Sequence, residues 1–475
     1  MGRKPYRLIY NADTSWAMQN SMDTADYLHG MVGFLEGSGV DALFWHDGSG
    51  GNNAYYDSAV MELNGERIGR VEPLLRRMLD AGEDPPAITI AAAREHGVDV
   101  FYSFRINDCH DSLGDGEAHP QLLATFKVEH PEWLIGPGHA YGGCNQLNFA
   151  VPEVLDFKFA ILEEAARKYD FDGFEIDFQR NAPYFIPGTE PEQAHILTGF
   201  LRRVREHFRE RAVARGRDIA LAVRVCESME ACRLDGFDVP AWIDEGLIDM
   251  IVLGSGAVDI EVEAFAALAR PAGIGVYPCL YGWPSGYGPF TTAMCRALAT
   301  NYWHQGADGI YTFNWNAHTH VQRRSEPNHQ RFAHQVELLR EIDDPEKLWE
   351  YDKEFVACRN SGSPWYPHNW LHSALPATLT AGASVEVPVL MGEDPACSGT
   401  PRLQRLRAEF PGLREADRLA FELNGQALES QERSGDTITC PLSPDSAFTG
   451  RNAVRVACAE GSAVADKLWI DVLYQ

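Results

Sequence analysis

The 475-residue sequence has little basic charge. It contains 41 Lys and Arg residues against 68 Asp and Glu residues, which gives a formal net charge of −27 at pH 7. Nucleic acids and anionic membrane surfaces are bound through basic patches, so this balance argues against both as partners. The sequence also lacks an apolar run long enough to span a bilayer. We therefore expect no nucleic acid and no membrane among its partners.

Metal-binding and secretion signals are also missing. None of the ten cysteines forms a C-x-x-C pair, so buried free thiols are expected rather than a zinc ribbon or a disulfide framework. No signal peptide precedes the strand-like residues 7–10. We expect a cytoplasmic protein without a cofactor, although a trimmed secretion signal would leave the same beginning. The sequence leaves a homo-oligomer open.

The sequence does contain short apolar segments that end in polar residues and alternate with helical patterns. The clearest helical patterns cover residues 152–169 and 192–215. Such alternation predicts parallel strands joined by right-handed crossovers. Eight units over about 340 residues match a (β/α)8 barrel. The predicted strands are residues 8–10, 42–45, 98–104, 174–178, 219–223, 250–253, 275–278 and 309–313.

A doubly wound open sheet is the alternative fold. It is disfavoured because the first strand is followed by Asn11, Ala12 and Asp13 rather than by a Gly-rich phosphate-binding turn.

The last hundred residues have a different pattern. From about residue 375, short β-like runs are separated by turn residues, among which Asn424-Gly425 is a strong hairpin signal. This pattern predicts a β-sandwich of roughly 100 residues. The expected organisation is a catalytic barrel in residues 1–345, a linker packing on the barrel in 346–374, and an accessory β-sandwich in 375–475.

The fourth predicted strand carries two acidic side chains. Glu175, Asp177 and then Gln179 are expected to face the barrel interior or its mouth, because strand residues alternate in direction. Barrel enzymes place their chemistry at the carboxyl ends of the strands. We expect Asp177 to be a catalytic nucleophile or base, with Glu175 orienting it or sharing its proton. The alternative is a structural pair of carboxylates neutralised by arginines such as Arg180 and Arg224.

A catalytic acid needs a raised pKa and partial shielding from water. The candidates are Glu175, Asp108 and Glu227, in that order. Alternate strand residues lie about 6.6 Å apart. This spacing falls between those of retaining and inverting carboxylate pairs, so the stereochemistry stays open.

The fourth-strand segment resembles a known motif. Residues 172–179 read DGFEIDFQ, which is similar to the Asp-Gly-x-Asp-x-Asp-x-Glu motif of family-18 chitinases. The catalytic Glu of that family falls on Gln179, which cannot act as an acid, so chitinase chemistry is rejected. The chain more closely resembles the bacterial family-10-like glycosyl hydrolases, in residues 104–110, 172–180, 234–249 and 307–315. This resemblance implies a (β/α)8 glycoside hydrolase and does not fix the substrate.

The other predicted strands also end in polar and aromatic residues, which together suit a ring with many hydroxyls. The expected substrate-binding residues are His46, Asp47, Arg105, Asn107, His110, Arg180, Arg224, Tyr281, Trp283, Asn314 and Trp315. Arg105, Arg180 and Arg224 are expected to line the mouth with positive charge. They either neutralise the carboxylates only, or also bind a carboxylate, sulfate or hydroxyl of the substrate.

Two other functions are consistent with the same residues. His46, Asp47, Asp108 and His110 could converge on a metal in a hydrolase or isomerase, but they lack a tight ligand spacing, and no metal ligand is assigned. A barrel that has lost its acid could bind carbohydrate without cleaving it. The sequence favours a glycoside hydrolase that cleaves O-glycosyl bonds of an oligo- or polysaccharide.

Overall fold

The barrel predicted from the sequence is present. The computed structural model describes residues 5–48, 52–111, 119–136, 145–315, 334–362, 368–393, 401–443 and 446–474. Eight parallel strands pair in chain order and close on themselves. This confirms the (β/α)8 fold and excludes the open sheet. The barrel strands are β1 (Leu8–Asp13), β2 (Ala42–His46), β3 (Asp99–Arg105), β4 (Gly173–Asp177), β5 (Ala220–Val225), β6 (Met250–Leu253), β7 (Gly275–Tyr281) and β8 (Ile310–Phe313).

Helices lie between the strands, and the two longest match the two predicted helical patterns closely. The helices are α1 (Thr14–Asn20), α2 (Thr24–Val32), α3 (Pro73–Asp80), α4 (Pro85–Glu95), α5 (Thr125–Glu129), α6 (Pro152–Lys168), α7 (Glu190–Arg215), α8 (Met229–Leu234), α9 (Val239–Asp244), α10 (Val262–Ala269) and α11 (Thr292–His304). No helix among the described residues is both long enough and apolar enough to cross a membrane.

The strand side chains divide between two cores, as alternation requires. Phe174 and Ile176 of β4 pack outward in the cluster that the helices cover. A separate cluster fills the barrel interior, where the Phe44 ring contacts the rings of Phe101 and Tyr311. The eight cysteines that the structure describes are buried, while Cys144 and Cys397 lie outside the described residues.

The amino ends of the strands share a recurring contact, which we call the aspartate clasp. An Asp just before each even-numbered strand donates its backbone N–H to a carbonyl of the preceding odd-numbered strand, and its carboxylate accepts the N–H of that same residue. The four pairs are Asp41 with Leu8, Asp172 with Val100, Asp249 with Leu221 and Asp308 with Val276.

A cavity of about 550 Å³ opens at this same amino end. It is lined by clasp residues, including Asp172, Asp249 and Asp308. Polar groups at this end of a barrel serve stability, and catalysis is found at the opposite end. This cavity is therefore not the candidate site.

The C-terminal sheets form the predicted β-sandwich. A four-stranded sheet has the order β11-β17-β13-β14, a five-stranded sheet has the order β15-β16-β12-β19-β9, and β10 pairs with β18. The strands are β9 (Lys353–Val356), β10 (Ala377–Thr380), β11 (Ser384–Met391), β12 (Leu403–Glu409), β13 (Arg418–Leu423), β14 (Gln426–Ala427), β15 (Glu432–Ser434), β16 (Thr437–Pro441), β17 (Gly450–Glu460), β18 (Ser462–Ala465) and β19 (Lys467–Leu473).

Two local features bear on the sequence predictions. Asn424 and Gly425 both have positive φ and join β13 to β14 by a two-residue turn, as the hairpin signal predicts. β9 lies within the segment expected to be a linker, yet it pairs with β19 at the edge of the sandwich, because Phe355 is buried in the sandwich core.

Polar contacts hold the sandwich against the barrel. Arg451 of β17 forms two hydrogen bonds with Asp259, at 3.0 and 2.8 Å. Asn301 of α11 donates to the carbonyl of Leu390 and accepts from the N–H of Gly392.

Candidate active site

The carboxyl end of β4 presents a buried ion pair. Asp177 accepts hydrogen bonds from Nε and Nη2 of Arg224 at 2.8 and 2.6 Å, and Arg224 occupies the paired position on β5. The backbone N–H of Gln179 also donates to Asp177 Oδ1, at 2.9 Å. The bidentate guanidinium therefore fixes the orientation of Asp177.

Glu175 lies one layer deeper in the barrel than Asp177. Its Oε2 accepts hydrogen bonds from Ser103 at 2.5 Å and from Tyr311 at 3.0 Å, and its Oε1 has no hydrogen-bond partner among the residues that the structure describes. Burial and the neighbouring Asp177 carboxylate raise the pKa of Glu175 to about 7, against the opposing effect of Arg224 and the two hydrogen bonds. Glu175 is therefore coupled to Asp177 by charge but lies beneath it.

Glu227 follows β5 and is held by a backbone cradle. The N–H groups of residues 255–257, in the loop after β6, donate to its Oε1 at 2.9 to 3.1 Å. Its Oε2 is buried and has no hydrogen-bond partner within the described ranges. Burial raises the pKa of Glu227 to about 7, although the backbone hydrogen bonds oppose this shift. One carboxyl oxygen is therefore fixed, and the other has a hydrogen-bonding capacity that no described residue uses.

Asp108 belongs to a chain of contacts with two other predicted residues. Its carboxylate lies 2.7 and 2.8 Å from Nδ1 of His110, and Nε2 of His110 lies 2.8 Å from Nη2 of Arg180. Burial raises the pKa of Asp108, but His110 and then Arg105 outweigh this effect and hold it well below its usual value. Asp108 is therefore a carboxylate rather than a proton donor at neutral pH.

Arg105 lies among three carboxylates without a close hydrogen bond to any of them. Its guanidinium nitrogens are 3.6 Å from Asp13, 4.0 Å from Asp108 and 4.0 Å from Asp177. Nε and Nη2 are buried and lack a hydrogen-bond partner in the described part of the chain. These two donors can therefore bind an acceptor on a ligand at little cost to existing contacts.

His46 offers a similar donor. Its Nδ1 accepts the N–H of Gly48 at 3.0 Å, so the proton of the neutral ring is on Nε2. Burial and the charge of Arg105 hold the pKa of His46 well below its usual value, so the ring is neutral. Nε2 is buried and makes no hydrogen bond to any described residue.

Asp13, at the carboxyl end of β1, was not predicted from the sequence. Its side chain is 31% exposed, and Oδ2 lies 4.0 Å from His46 Nδ1 as well as near Arg105. Oδ1 caps α1 by accepting from Ser15 and Trp16. The available signal was an acidic residue at the end of a barrel strand, but β1 was predicted to end three residues earlier.

The three arginines do meet at the mouth. The guanidinium carbons of Arg105, Arg180 and Arg224 lie 5.4, 5.4 and 3.7 Å from the ring centre of Phe313. Such cation–π contacts stabilise clustered positive charge.

Aromatic side chains continue from Phe313 along one side of the mouth. Tyr281 stacks on Phe313 at 5.8 Å, and Trp283 lies 6.0 Å from Tyr281. Tyr281, Trp283 and Asn314 are all partly exposed, and Asn314 has a positive φ of 52°. These three residues are therefore accessible at the carboxyl end of the barrel.

Two other predicted residues already use their polar groups in hydrogen bonds within the protein. Asn107 donates to the carbonyl of Pro183 and accepts from the N–H of Leu147. Trp315 is 3% exposed and donates its indole N–H to the carbonyl of Leu280. Their polar groups fix loops, so neither is placed to bind a ligand.

Asp47 points away from the barrel interior. It accepts a hydrogen bond from Tyr102 at 2.7 Å, and Tyr102 belongs to the core beneath the helices. The structure therefore separates Asp47 from its neighbour His46, which does not support a common ligand for the two.

A segment between the barrel and the sandwich joins the site, which the sequence did not predict. Asn369 donates to Gln179 Oε1 at 2.8 Å, and Gln179 donates to Cys226 Sγ at 3.0 Å. Cys226 in turn donates to Asp235 at 3.1 Å, and Asp235 lies 2.5 Å from Nδ1 of His368. This closed ring of contacts anchors the segment to the loops after β4 and β5. No short-range sequence pattern marks such a contact.

Among the described residues, no group of three or more His, Cys, Asp or Glu side chains is arranged to hold a metal ion. His110 is bound to Asp108 and Arg180, so these side chains are already used in contacts with one another.

The fold and the site define a (β/α)8 barrel with a carboxylate- and arginine-rich mouth, followed by a β-sandwich. No family model matches the sequence. The chain is 34% identical over 122 residues to the glycosyl hydrolase YngK of Bacillus subtilis strain 168, a match that covers 24% of this chain and 21% of that protein. The match therefore spans about a fifth of the relative's length.

Solved structures with related folds show lower identity. The glycoside hydrolase domain of PgaB from Bordetella bronchiseptica is 14% identical with a TM-score of 0.45, and the match covers 72% of this chain and 99% of that domain. An α-L-fucosidase from Paenibacillus thiaminolyticus is 16% identical with a TM-score of 0.42, over 70% of this chain and 50% of that chain. These likenesses carry no argument about substrate or catalytic residues.

Proposed function

We propose that this protein is a glycoside hydrolase that cleaves an O-glycosyl bond in an oligo- or polysaccharide. The observation that carries the proposal is a division of roles between two carboxyl groups, one at the end of β4 and one just after the adjacent strand β5. Asp177 is ion-paired with Arg224, while Glu227 is buried, has an oxygen without a hydrogen-bond partner among the described residues, and has its pKa raised to about 7. Glycosidases need such a pair, one ionised and one protonated.

Asp177 is the proposed nucleophile or general base, and Glu227 is the proposed general acid. Glu227 is preferred over Glu175 because Glu175 lies beneath Asp177 and cannot reach a bond at the mouth. It is preferred over Asp108 because His110 and Arg105 hold the pKa of Asp108 well below its usual value. Glu175 acts on Asp177 only through the electrostatic interaction of the two carboxyl groups, because Arg224 already fixes the orientation of Asp177.

The remaining residues provide substrate binding. Arg105 and His46 present donors without partners in the described chain, and Asp13 presents an acceptor beside them. Together they suit a hydroxyl that both accepts and donates a hydrogen bond. Tyr281 and Trp283 provide aromatic faces for the apolar side of a sugar ring. The similarity to YngK over 122 residues agrees with a carbohydrate substrate.

The test compares Asp177→Asn and Glu227→Gln on aryl glycosides whose leaving groups differ in acidity. Asp177→Asn should lower kcat on every substrate by about three powers of ten. Glu227→Gln should retain most activity on dinitrophenyl glycosides, which need no proton, and lose it on alkyl glycosides or oligosaccharides.

Glu263→Gln, on the exposed side of α10, is the matched control and should behave as wild type. Near-normal turnover by folded Asp177→Asn would reject the proposal, as would an equal loss by Glu227→Gln on good and poor leaving groups.

A further inference from the structure

The loop after β6 has two neighbours. On one side, its N–H groups hold Oε1 of Glu227. On the other side lies Trp370, which follows the anchored residues His368 and Asn369. A Cβ at Gly256 would lie 3.5 Å from Cη2 of Trp370, which places the indole edge in contact range of the loop.

We propose that Trp370 is a positioning residue for the reaction, because its indole covers the loop that holds Glu227 and keeps water from this carboxyl. This inference rests on the proposed function, in which Glu227 is the acid. It assigns a role in the site to a residue outside the barrel strands and their connecting loops.

Burial supports the role. Trp370 is 8% exposed and Glu227 is 2% exposed, although both lie at the end of the barrel where the strands open to solvent. The Tyr281 ring approaches the same glycine, with Cδ1 3.7 Å from the position of a Cβ. Two aromatic rings therefore flank Gly256, whose N–H binds the acid.

Three buried polar atoms of Glu227, the loop after β6 and Trp370 make no hydrogen bond to any described residue. They are Oε2 of Glu227, Oγ of Ser255 and Nε1 of Trp370. Buried polar groups normally have partners, so these atoms need a water or a ligand to complete their hydrogen bonds. The indole N–H is the donor that a sugar oxygen beside the acid would use.

The anchor of the segment explains how Trp370 keeps its place. Asn369 binds Gln179 and His368 binds Asp235, so the residues preceding Trp370 are fixed to two loops of the barrel. Gln179 stands where a catalytic Glu would be in the family-18 motif. Here its side-chain oxygen accepts from Asn369, so it positions the segment.

The consequence concerns the protonation of Glu227. Burial is what raises the pKa of Glu227 to about 7, so water that enters after loss of the indole would lower it. Since the acid works only while protonated, the high-pH limb of kcat/KM would then move to lower pH.

The experiment measures pH profiles of kcat/KM on an aryl glycoside with a poor leaving group. Trp370→Ala should move the high-pH limb down by about one pH unit or more, while Trp370→Phe should keep the limb because it keeps the cover. Trp370→Phe should instead raise KM, because it lacks the N–H. Trp349→Ala removes a tryptophan that is 61% exposed and should change neither quantity.

An unchanged limb in folded Trp370→Ala would overturn the inference. If that variant does not fold, Asn369→Ala loosens the segment and should shift the limb in the same direction by a smaller amount, and an unchanged limb there would also overturn it. If the proposed function fails, Glu227→Gln shows no dependence on the leaving group, which overturns this inference as well. If only this inference fails, Glu227→Gln keeps that dependence and the limb of Trp370→Ala does not move.

Discussion

At the scale of single residues, three arginines and three aspartates lie at the mouth, but the arginines are not equally paired. They are Arg105, Arg180 and Arg224, with Asp13, Asp108 and Asp177. Arg224 binds Asp177 through two hydrogen bonds. Arg105 has three carboxylates at 3.6 to 4.0 Å and no hydrogen bond from Nε or Nη2 to a described residue. The first arginine is therefore committed to the protein, whereas the second has donors to offer to a ligand.

This difference predicts that substitution by lysine affects mainly stability and kcat at Arg224 but mainly KM at Arg105. Arg224→Lys should cost about 3 kcal/mol of unfolding free energy and most of kcat, because a lysine leaves the buried Asp177 partly unpaired. Arg105→Lys should change stability by less than about 1 kcal/mol and raise KM about tenfold, the equivalent of one lost charge-assisted hydrogen bond. Denaturant titration and Michaelis kinetics on both variants measure these effects, and similar stability losses in the two would contradict the distinction.

Glu175 makes a prediction about stability and pH. Its pKa of about 7 in the folded state exceeds the usual value of 4.5, so the folded protein binds an extra proton between these values. The stability from this group is complete below pH about 4.5 and is lost as pH rises through about 7. Above that pH the charged carboxyl costs roughly 3 kcal/mol.

Glu175→Gln should therefore be more stable than wild type at pH 8, and the two should converge below pH 5. The amide keeps the size of the side chain and still accepts hydrogen bonds from Ser103 and Tyr311. Thermal unfolding followed by circular dichroism at both pH values provides the comparison. If the variant is equally destabilised at pH 5 and pH 8, the carboxyl is needed for packing, and its charged form does not destabilise the folded protein.

At the scale of elements, the aspartate clasps explain how the barrel keeps its register at the amino ends of its strands. In each clasp, one Asp satisfies both backbone groups of a residue on the neighbouring strand. The clasp combines a ladder hydrogen bond with a side-chain hydrogen bond, so a slip of register would break both at once. The four Asp residues were not predicted from the sequence because each stands in an ordinary loop position before a strand.

Asp308→Ala should lower the unfolding free energy by about 1 to 2 kcal/mol, because the N–H of Val276 loses its carboxylate acceptor. Activity should stay within about twofold of wild type, since the residue lies at the end of the barrel opposite the mouth. Asp308→Asn keeps an acceptor and should lose less stability. A large loss of kcat in a variant that remains folded at the assay temperature would contradict a purely structural role.

At the scale of the whole molecule, the barrel was predictable because its signal is local. Strand β6 is an apolar run and β4 alternates apolar with acidic residues, and the alternation of such strands with helices defines the fold. β12 has no apolar run that would mark it in the sequence, because LQRLRAE carries two arginines. These pair with Asp471 of β19, a contact that only the folded chain reveals.

The candidate site was predicted in part for the same reason. Residues that end barrel strands, such as Asp177 and Arg105, could be identified from strand order alone. The outward direction of Asp47 and the contribution of Trp370 depend on the path of the chain between elements. Trp370 in particular reaches the mouth from a segment more than fifty residues beyond β8, whose last residue is Phe313. No spacing rule relates such positions.

The aspartate clasps also bear on how the connections between the barrel strands differ in length. They close stretches of 33, 72, 28 and 32 residues, yet all four have the same bonding pattern. The longest stretch contains the connection after β3 that carries Asp108 and His110. A longer connection therefore leaves the bonding pattern of the clasp at the amino end of the barrel unchanged. A descendant of this sequence could acquire a new specificity by insertion in that connection and inherit an unaltered scaffold.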